Sequence, residues 1–179
     1  MSRAFLKNES ADDPVFIPAR APLPPGTPNY VTPRGLSLLR AELTELESER
    51  SRVQADENDE TERSRQISLL NGRIAKLNER IASARVVEPH SQPHDEVRFG
   101  ATVTLRPRSG KYSGRAGTQA ERQLTIVGVD EADLAQGLIA FTAPVARAMQ
   151  GKKVGDLITL PSVQGEGVLE IVGIAYDSG

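Results

Sequence analysis

Cysteine is missing from all 179 residues, tryptophan is missing too, and the only histidines are His90 and His94. Without thiols there is no disulfide scaffold, no thiolate zinc site and no cysteine nucleophile. Two imidazoles are too few for most histidine-based metal sites, so any metal chemistry falls to carboxylates. Aromatic residues make up 4% of the chain, which leaves little to line a deep aromatic pocket or fill one large core. An excess of either charge is lacking as well. The 24 acidic and 22 basic side chains leave a net charge of −2, which excludes wholesale wrapping by nucleic acid and confines such contact to local patches. No stretch reaches the ~18 apolar residues of a membrane span, and the N-terminus has no signal-peptide core. The expectation is a cytoplasmic protein of one or two small domains that does not enter a membrane.

What is present is unevenly spread. Seven of the twelve prolines fall in the first 33 residues among few apolar side chains, so residues 1–31 read as an extended, disordered leader. From Arg34 to Glu88 proline is absent, and charges of both signs alternate with Leu and Ile. Thr32 followed by Pro33 is a helix start, because the hydroxyl can cap and proline fits a first turn whose N–H groups have no helical partner. Pro89 and Pro93 then mark a linker over 89–96.

Within the proline-free stretch, Leu36, Leu39, Leu43, Leu46 and Val53, then Ile67, Leu70, Ile74, Leu77, Ile81 and Ala84, recur in steps of three and four. This is the heptad rhythm of a coiled coil, with Arg50 at the polar seam position of the first run. The seam lapses at 55–60, so residues 32–88 are expected to fold back as an antiparallel helical hairpin. Facing positions in such a hairpin have a nearly constant sum. Leu36 with Ile81, Leu43 with Ile74 and Arg50 with Ile67 each give 117, and Leu39 with Leu77 and Leu46 with Leu70 give 116. The turn therefore centres near Asn58, roughly 30 Å from the base at 1.5 Å per residue. The same seam could instead join two copies, but the acidic break and the near-constant sum favour an intramolecular partner and hence a monomer. Gly72 falls on an outward heptad position, where its helix cost of about 1 kcal/mol is tolerable.

From Val97 on the period changes to two, giving strands near 97–105, 124–130, 138–141, 156–160 and 167–176, with a short helix opened by Pro144 and stopped by Gly151. The fold class expected is α+β: a helical hairpin, then a small antiparallel sheet over 97–179 carrying one short helix. Arg106, Arg108, Lys111, Arg115 and Arg122 stand against Glu121 alone in a long basic hairpin, a candidate contact for an RNA or DNA backbone or an acidic partner.

The sharpest chemistry lies at the hairpin turn. Asp56, Glu57, Asp59, Glu60 and Glu62 crowd into seven residues, flanked by Arg50, Arg52, Arg63 and Arg65. Mg²⁺ keeps several waters and takes one or two carboxylates, so acids on a stiff rod suit delivery of oxygen ligands to an ion held elsewhere. The arginines Arg52, Arg63 and Arg65 are candidate nucleic-acid contacts. Structural duties compete for the same groups: Asn58 or Asp56 can cap the second helix, and acids in its first turn complement its dipole.

Placed in this order, the chain resembles the Gre family of bacterial transcript cleavage factors. The resemblance is carried by Val31-Thr32-Pro33-Arg34-Gly35, Gly72-Arg73-Ile74, Phe99-Gly100-Ala101-Thr102-Val103-Thr104, Ile126-Val127-Gly128 with Asp130-Glu131-Ala132-Asp133, and Ala143-Pro144-Val145-Ala146-Arg147-Ala148. It implies an FKBP-like C-terminal domain that docks at the rim of the RNA polymerase secondary channel, and a coiled coil that enters the channel. Glu57-Asn58 looks like the family's tip pair and Pro144 to Arg147, with Val145, like its docking segment. The protein would be an accessory factor, not an enzyme, with no cofactor of its own. Asp56, Glu57 and Asp59 would assist cleavage, with Glu57 and Asp56 reaching a Mg²⁺ that belongs to the polymerase. The arm is roughly a dozen residues shorter than the family pattern, pulling the tip back by about 9 Å, which resembles the Rnk-type regulators that dock without stimulating cleavage. A more distant alternative is an FKBP-like prolyl isomerase or chaperone, for which only Phe99, Tyr112, Phe141 and Tyr176 are available as aromatic lining.

Overall fold

A computed structural model describes residues 16–17, 19–57, 59–109, 120–160 and 167–177. The elements run β1 (Asn29–Val31), α1 (Pro33–Ala55), α2 (Glu60–Ala82), β2 (Ala84–Val86), β3 (Ala101–Ser109), β4 (Arg122–Val127), β5 (Leu138–Ala140), α3 (Pro144–Met149), β6 (Leu157–Leu160) and β7 (Gly167–Tyr176). They divide into two compact units. One holds Arg40–Ala82 with Phe16, Ile17 and Ala19; the other holds Arg20–Leu39 with the described residues from Ser83 on.

In the first unit the heptad arithmetic is realised as two long helices that end at Ala55 and resume at Glu60, on either side of the expected centre. Leu46, Leu70, Ile74 and Leu77 are buried, each removing enough apolar surface from water to favour the fold by about 1.5–3 kcal/mol. The polar seam residue Arg50 donates from Nη1 to Asn71 Oδ1 at 3.2 Å.

The second unit is built on a five-stranded sheet in the order β5-β4-β3-β7-β6. Period-two alternation puts Ala101, Val103 and Leu105 of β3 on the same buried face as Ile126, Ile139 and Ile171, under Ala146 and Met149 of α3. The strand order along the chain agrees with the alternation, but the sheet is not wholly antiparallel. β5 pairs parallel to β4, Ile126 opposite Ile139, because the connection is a 3₁₀ turn at Leu134–Gln136 capped by Asp133 and not a tight hairpin. Strand β3 begins at Ala101 and not at Val97; Val97 and Phe99 are buried ahead of it, and Val97 exchanges backbone bonds with Gly151 and Lys152 at 2.8 Å each. Between Thr104 and Leu105 the β3–β7 register slips by one residue, the bulge that curls such a sheet.

The leader is the main departure from the sequence reading. Its last residues, Asn29–Val31, form β1, which pairs parallel with β2 at the end of the segment assigned to the hairpin. Disorder loses there because Tyr30 and Val31 have somewhere to go. Val31 is buried, and the Tyr30 ring meets Phe99 at 5.9 Å and Phe141 at 5.6 Å in tilted and edge-on contacts. Close approach of this strand also explains Gly128, where a Cβ would stand 2.7 Å from the Tyr30 carbonyl oxygen.

Candidate functional site

The turn between α1 and α2 exposes Asp56, Glu57 and Asp59; Asn58 lies outside the described residues. Among the described residues the capping bonds of α2 come from Asp59. Its Oδ1 accepts the backbone N–H groups of Thr61 at 2.9 Å and Glu62 at 3.3 Å, satisfying two of the donors that a helix start leaves unpaired. Glu60 and Glu62 sit in the first turn, where the helix dipole favours negative charge. Of the flanking cations, Arg63 is half-buried and donates from Nη1 to the Asp56 carbonyl at 2.7 Å, bracing the turn from behind. Arg52 and Arg65 are exposed. The carboxylates of the turn therefore differ in what they do. Asp59 ties down the helix, while Glu57 is exposed and makes no hydrogen bond or ion pair among the described residues. No three acidic or imidazole groups converge as a metal cage among those residues, and the turn fits the donation of one or two oxygen ligands to an ion held by another molecule.

The second candidate surface is α3. Proline opens this helix without a side-chain cap, and Ala146 and Met149 anchor it in the core. That anchoring turns Pro144 and Arg147 outward as an i, i+3 pair, with Val145 half-buried between them against the core.

The basic hairpin is less available than its composition implies. Arg106 donates to Glu121 Oε1 at 2.6 Å from Nη2. Arg108 is paired with Glu170 on β7, a carboxylate distant in sequence and outside the hairpin itself. Lys111 and Arg115 lie outside the described residues. Among the described residues, the aromatic side chains named for an isomerase pocket fall into separate ring contacts. Phe99 and Phe141 stack edge-on with each other, and both meet Tyr30. Tyr176 meets the His94 ring at 5.4 Å, and Tyr112 is outside the described residues. A cleft of about 510 Å³ in this unit is lined instead by groups such as Arg34, His90, Thr102, Thr125, Glu131 and Gln136.

Sequence reasoning missed one polar junction. The Glu131 side chain, 4% exposed, accepts from Thr32 Oγ1 at 2.5 Å and from Arg34 Nη1 at 2.8 Å. Thr32 Oγ1 in turn accepts the Gly35 N–H at 2.8 Å, the expected N-cap of α1. The Asp130-Glu131-Ala132-Asp133 run is visible as a motif, but its partners lie about a hundred residues away. Exposed Asp95 and Lys153 pair at 2.7 Å; the bond and charge of Lys153 lower the Asp95 pKa, and Asp95 raises that of Lys153.

Comparison with known proteins identifies the family. Residues 92–176 match the family model described as transcription elongation factor, GreA/GreB, C-terminal. Transcription elongation factor GreA of Acidiphilium cryptum is 36% identical over 162 residues, covering 82% of this chain and 96% of that one. GreA of Alkalilimnicola ehrlichii is 37% identical over 161 residues with the same coverage. A solved structure described as a prokaryotic transcription elongation factor GreA/GreB from Nitrosomonas europaea is 24% identical, covers 82% of this chain and 98% of its own, and superposes with a TM-score of 0.40. The chain belongs to the GreA/GreB family of transcription elongation factors. No helix among the described residues is long and apolar enough to cross a membrane.

Proposed function

We propose that this protein docks on bacterial RNA polymerase through Pro144, Val145 and Arg147, enters the secondary channel with its helical hairpin, and stimulates the polymerase's own cleavage of backtracked RNA. The observation that carries the reading is the exposed Glu57 carboxylate at the end of a capped, braced helical turn, in a chain that belongs to an elongation-factor family. The protein is an accessory factor and brings no cofactor. A Mg²⁺ shared with the polymerase would supply the activation of water, and Glu57 with Asp56 are the groups that would hold it. Arg52 and Arg65, exposed near the turn, are the candidates for contact with RNA phosphates. Arg106 and Arg108 are a weaker choice for such contact, since both are already paired with carboxylates. The intramolecular seam supports action as a monomer.

A second reading, docking without cleavage in the manner of Rnk-type regulators, is favoured by one observation: Asp59 spends its carboxylate on the helix cap, leaving fewer acids to donate. Incubation of a purified backtracked elongation complex with the protein separates the two. Short 3′-terminal RNA products establish cleavage stimulation; binding without such products establishes the second reading.

A further inference from the structure

Arg63 stands where helix electrostatics disfavours it. It lies in the first turn of α2, at the positive end of the helix dipole, where Glu60 and Glu62 are the residues the field favours. The guanidinium serves the end of the other helix. α1 stops at Ala55, and the Asp56 N–H donates back to the Val53 carbonyl at 3.3 Å in a tightened last turn. The Asp56 carbonyl therefore lies beyond the helix's own donors, at the negative end of the α1 dipole, where a basic side chain is the favoured partner. Arg63 Nη1 donates to it at 2.7 Å, while the Arg63 backbone N–H donates to the Asp59 carbonyl at 3.0 Å. One residue thus holds both sides of the turn, and it is half-buried, unlike exposed Arg52 and Arg65.

What this brace fixes is next to Glu57. The Asp56 carbonyl and the Glu57 N–H belong to one rigid peptide plane, so holding that oxygen orients the plane from which the Glu57 side chain departs. On the α2 side, Asp59 is held by its capping bonds to Thr61 and Glu62, and the Glu62 carboxylate accepts from Gln66 Nε2 at 2.9 Å. Those two acids are engaged in the helix, whereas Glu57 makes no hydrogen bond or ion pair among the described residues. A free carboxylate on a pinned backbone loses less freedom on meeting an ion than one on a loose loop, and metal–ligand distances are tolerated only within about 0.2 Å.

We infer that Arg63 is a positioning residue for the Glu57 carboxylate, acting through its bond to the Asp56 carbonyl, and not a contact for nucleic acid. This rests on the proposed function, because the ion that Glu57 would meet is the one in the polymerase. Lysine in place of Arg63 keeps the charge and a donor but lacks the planar fork.

The test compares full-length Arg63→Met with the natural chain on a purified backtracked elongation complex, at saturating protein and varied Mg²⁺. Polymerase affinity should be unchanged, while the saturated cleavage rate falls about fivefold and half-maximal cleavage needs more Mg²⁺. Arg63→Lys should recover part of the loss. In a Glu57→Ala background, Arg63→Met should change nothing further, because a residue that acts through Glu57 has nothing left to position. A phosphate contact or a general loss of fold predicts instead a second loss on top of the first. Without polymerase, backbone NMR relaxation should show the Glu57 amide ordered in the natural chain and mobile in Arg63→Met. An unchanged Mg²⁺ dependence, additive losses, or equal order of the Glu57 amide in both proteins overturns the positioning role. A natural chain that binds polymerase but releases no short RNA overturns the cleavage function on which it rests, and the relaxation comparison then still decides whether Arg63 orders Glu57.

Discussion

Thr32 and Glu131 lie 99 residues apart in sequence and share a 2.5 Å hydrogen bond inside the protein. The bond joins two accounts of local structure. Thr32 is the cap that starts α1, and Glu131 is a buried carboxylate that needs donors. Removing the hydroxyl therefore costs twice, once as a lost cap and once as a carboxylate left with the Arg34 contact. Thr32→Val should lower unfolding stability by about 2–3 kcal/mol, read as a lower urea midpoint at unchanged slope. Thr32→Ser should restore most of it. Equal stability of the Val variant and the natural protein would show that the junction is neutral.

The tip acids should separate cleanly by role. Glu57→Ala touches no described contact and should leave thermal unfolding and polymerase affinity unchanged while reducing RNA cleavage at least tenfold, a rise of about 1.4 kcal/mol in the barrier. Asp59→Ala should instead destabilise the hairpin by about 1 kcal/mol through loss of the cap. Asp59→Asn keeps a capping oxygen and removes only the charge, so it should unfold like the natural protein. Cleavage assays on these three, beside calorimetry, distinguish metal donation from helix capping.

Docking through α3 predicts a contrast between its outer and inner faces. Arg147→Glu should weaken polymerase binding at unchanged Tm, because that side chain is exposed. Met149→Ala, at a fully buried position, should cost about 2–5 kcal/mol of stability through lost burial and a cavity. A Tm that falls with Arg147→Glu would assign this residue to the fold and not to the partner.

Electrostatics at the surface yield a signed prediction for Asp95 and Lys153. A lowered folded pKa means that the Asp95 contribution is present above its unfolded pKa and is lost as the pH falls through the folded value. The raised Lys153 pKa means that its contribution is present below the unfolded pKa and is lost as the pH rises through the folded value. Lys153→Met should move the Asp95 titration, followed by carboxyl NMR, up toward the ordinary aspartate range. Because both groups are exposed, the global stability near neutrality should scarcely change.

Tyr176 tests the edge of the sheet. Its hydroxyl donates to the Glu96 carbonyl at 2.6 Å and accepts the Arg98 N–H at 2.9 Å, and burial raises its pKa despite the opposing N–H. Tyr176→Phe should cost about 1–3 kcal/mol. It should also remove the part of the alkaline stability loss that sets in above the tyrosine's unfolded pKa, where the folded protein still holds the proton. Urea unfolding across that pH range measures both effects.

Patterns written in neighbouring residues survive into three dimensions. The three-four spacing of leucines and isoleucines sets two helices and the place of their turn, because burial of a stripe at helical period needs no information from elsewhere. Period-two alternation likewise sets strands β3 to β7, and Thr32-Pro33 sets the start of α1. Those signals are local, and they also expose the tip acids and the α3 segment. The family resemblance rests on such short runs.

Long-range pairings were decided only by the folded chain. That Arg108 is neutralised by Glu170, that β5 runs parallel to β4, and that Glu131 receives Thr32 and Arg34 depends on which distant residues the sheet brings side by side. The leader shows the same division. Its prolines and sparse apolar residues read as disorder, yet Tyr30 packs on Phe99 and Phe141, and Ile17 rests against the backbone at Gly72, partners that the sequence around them does not contain. Local sequence determines what a segment prefers by itself, whereas the free energy of burial belongs to pairs of surfaces, and only the tertiary structure says which surfaces meet.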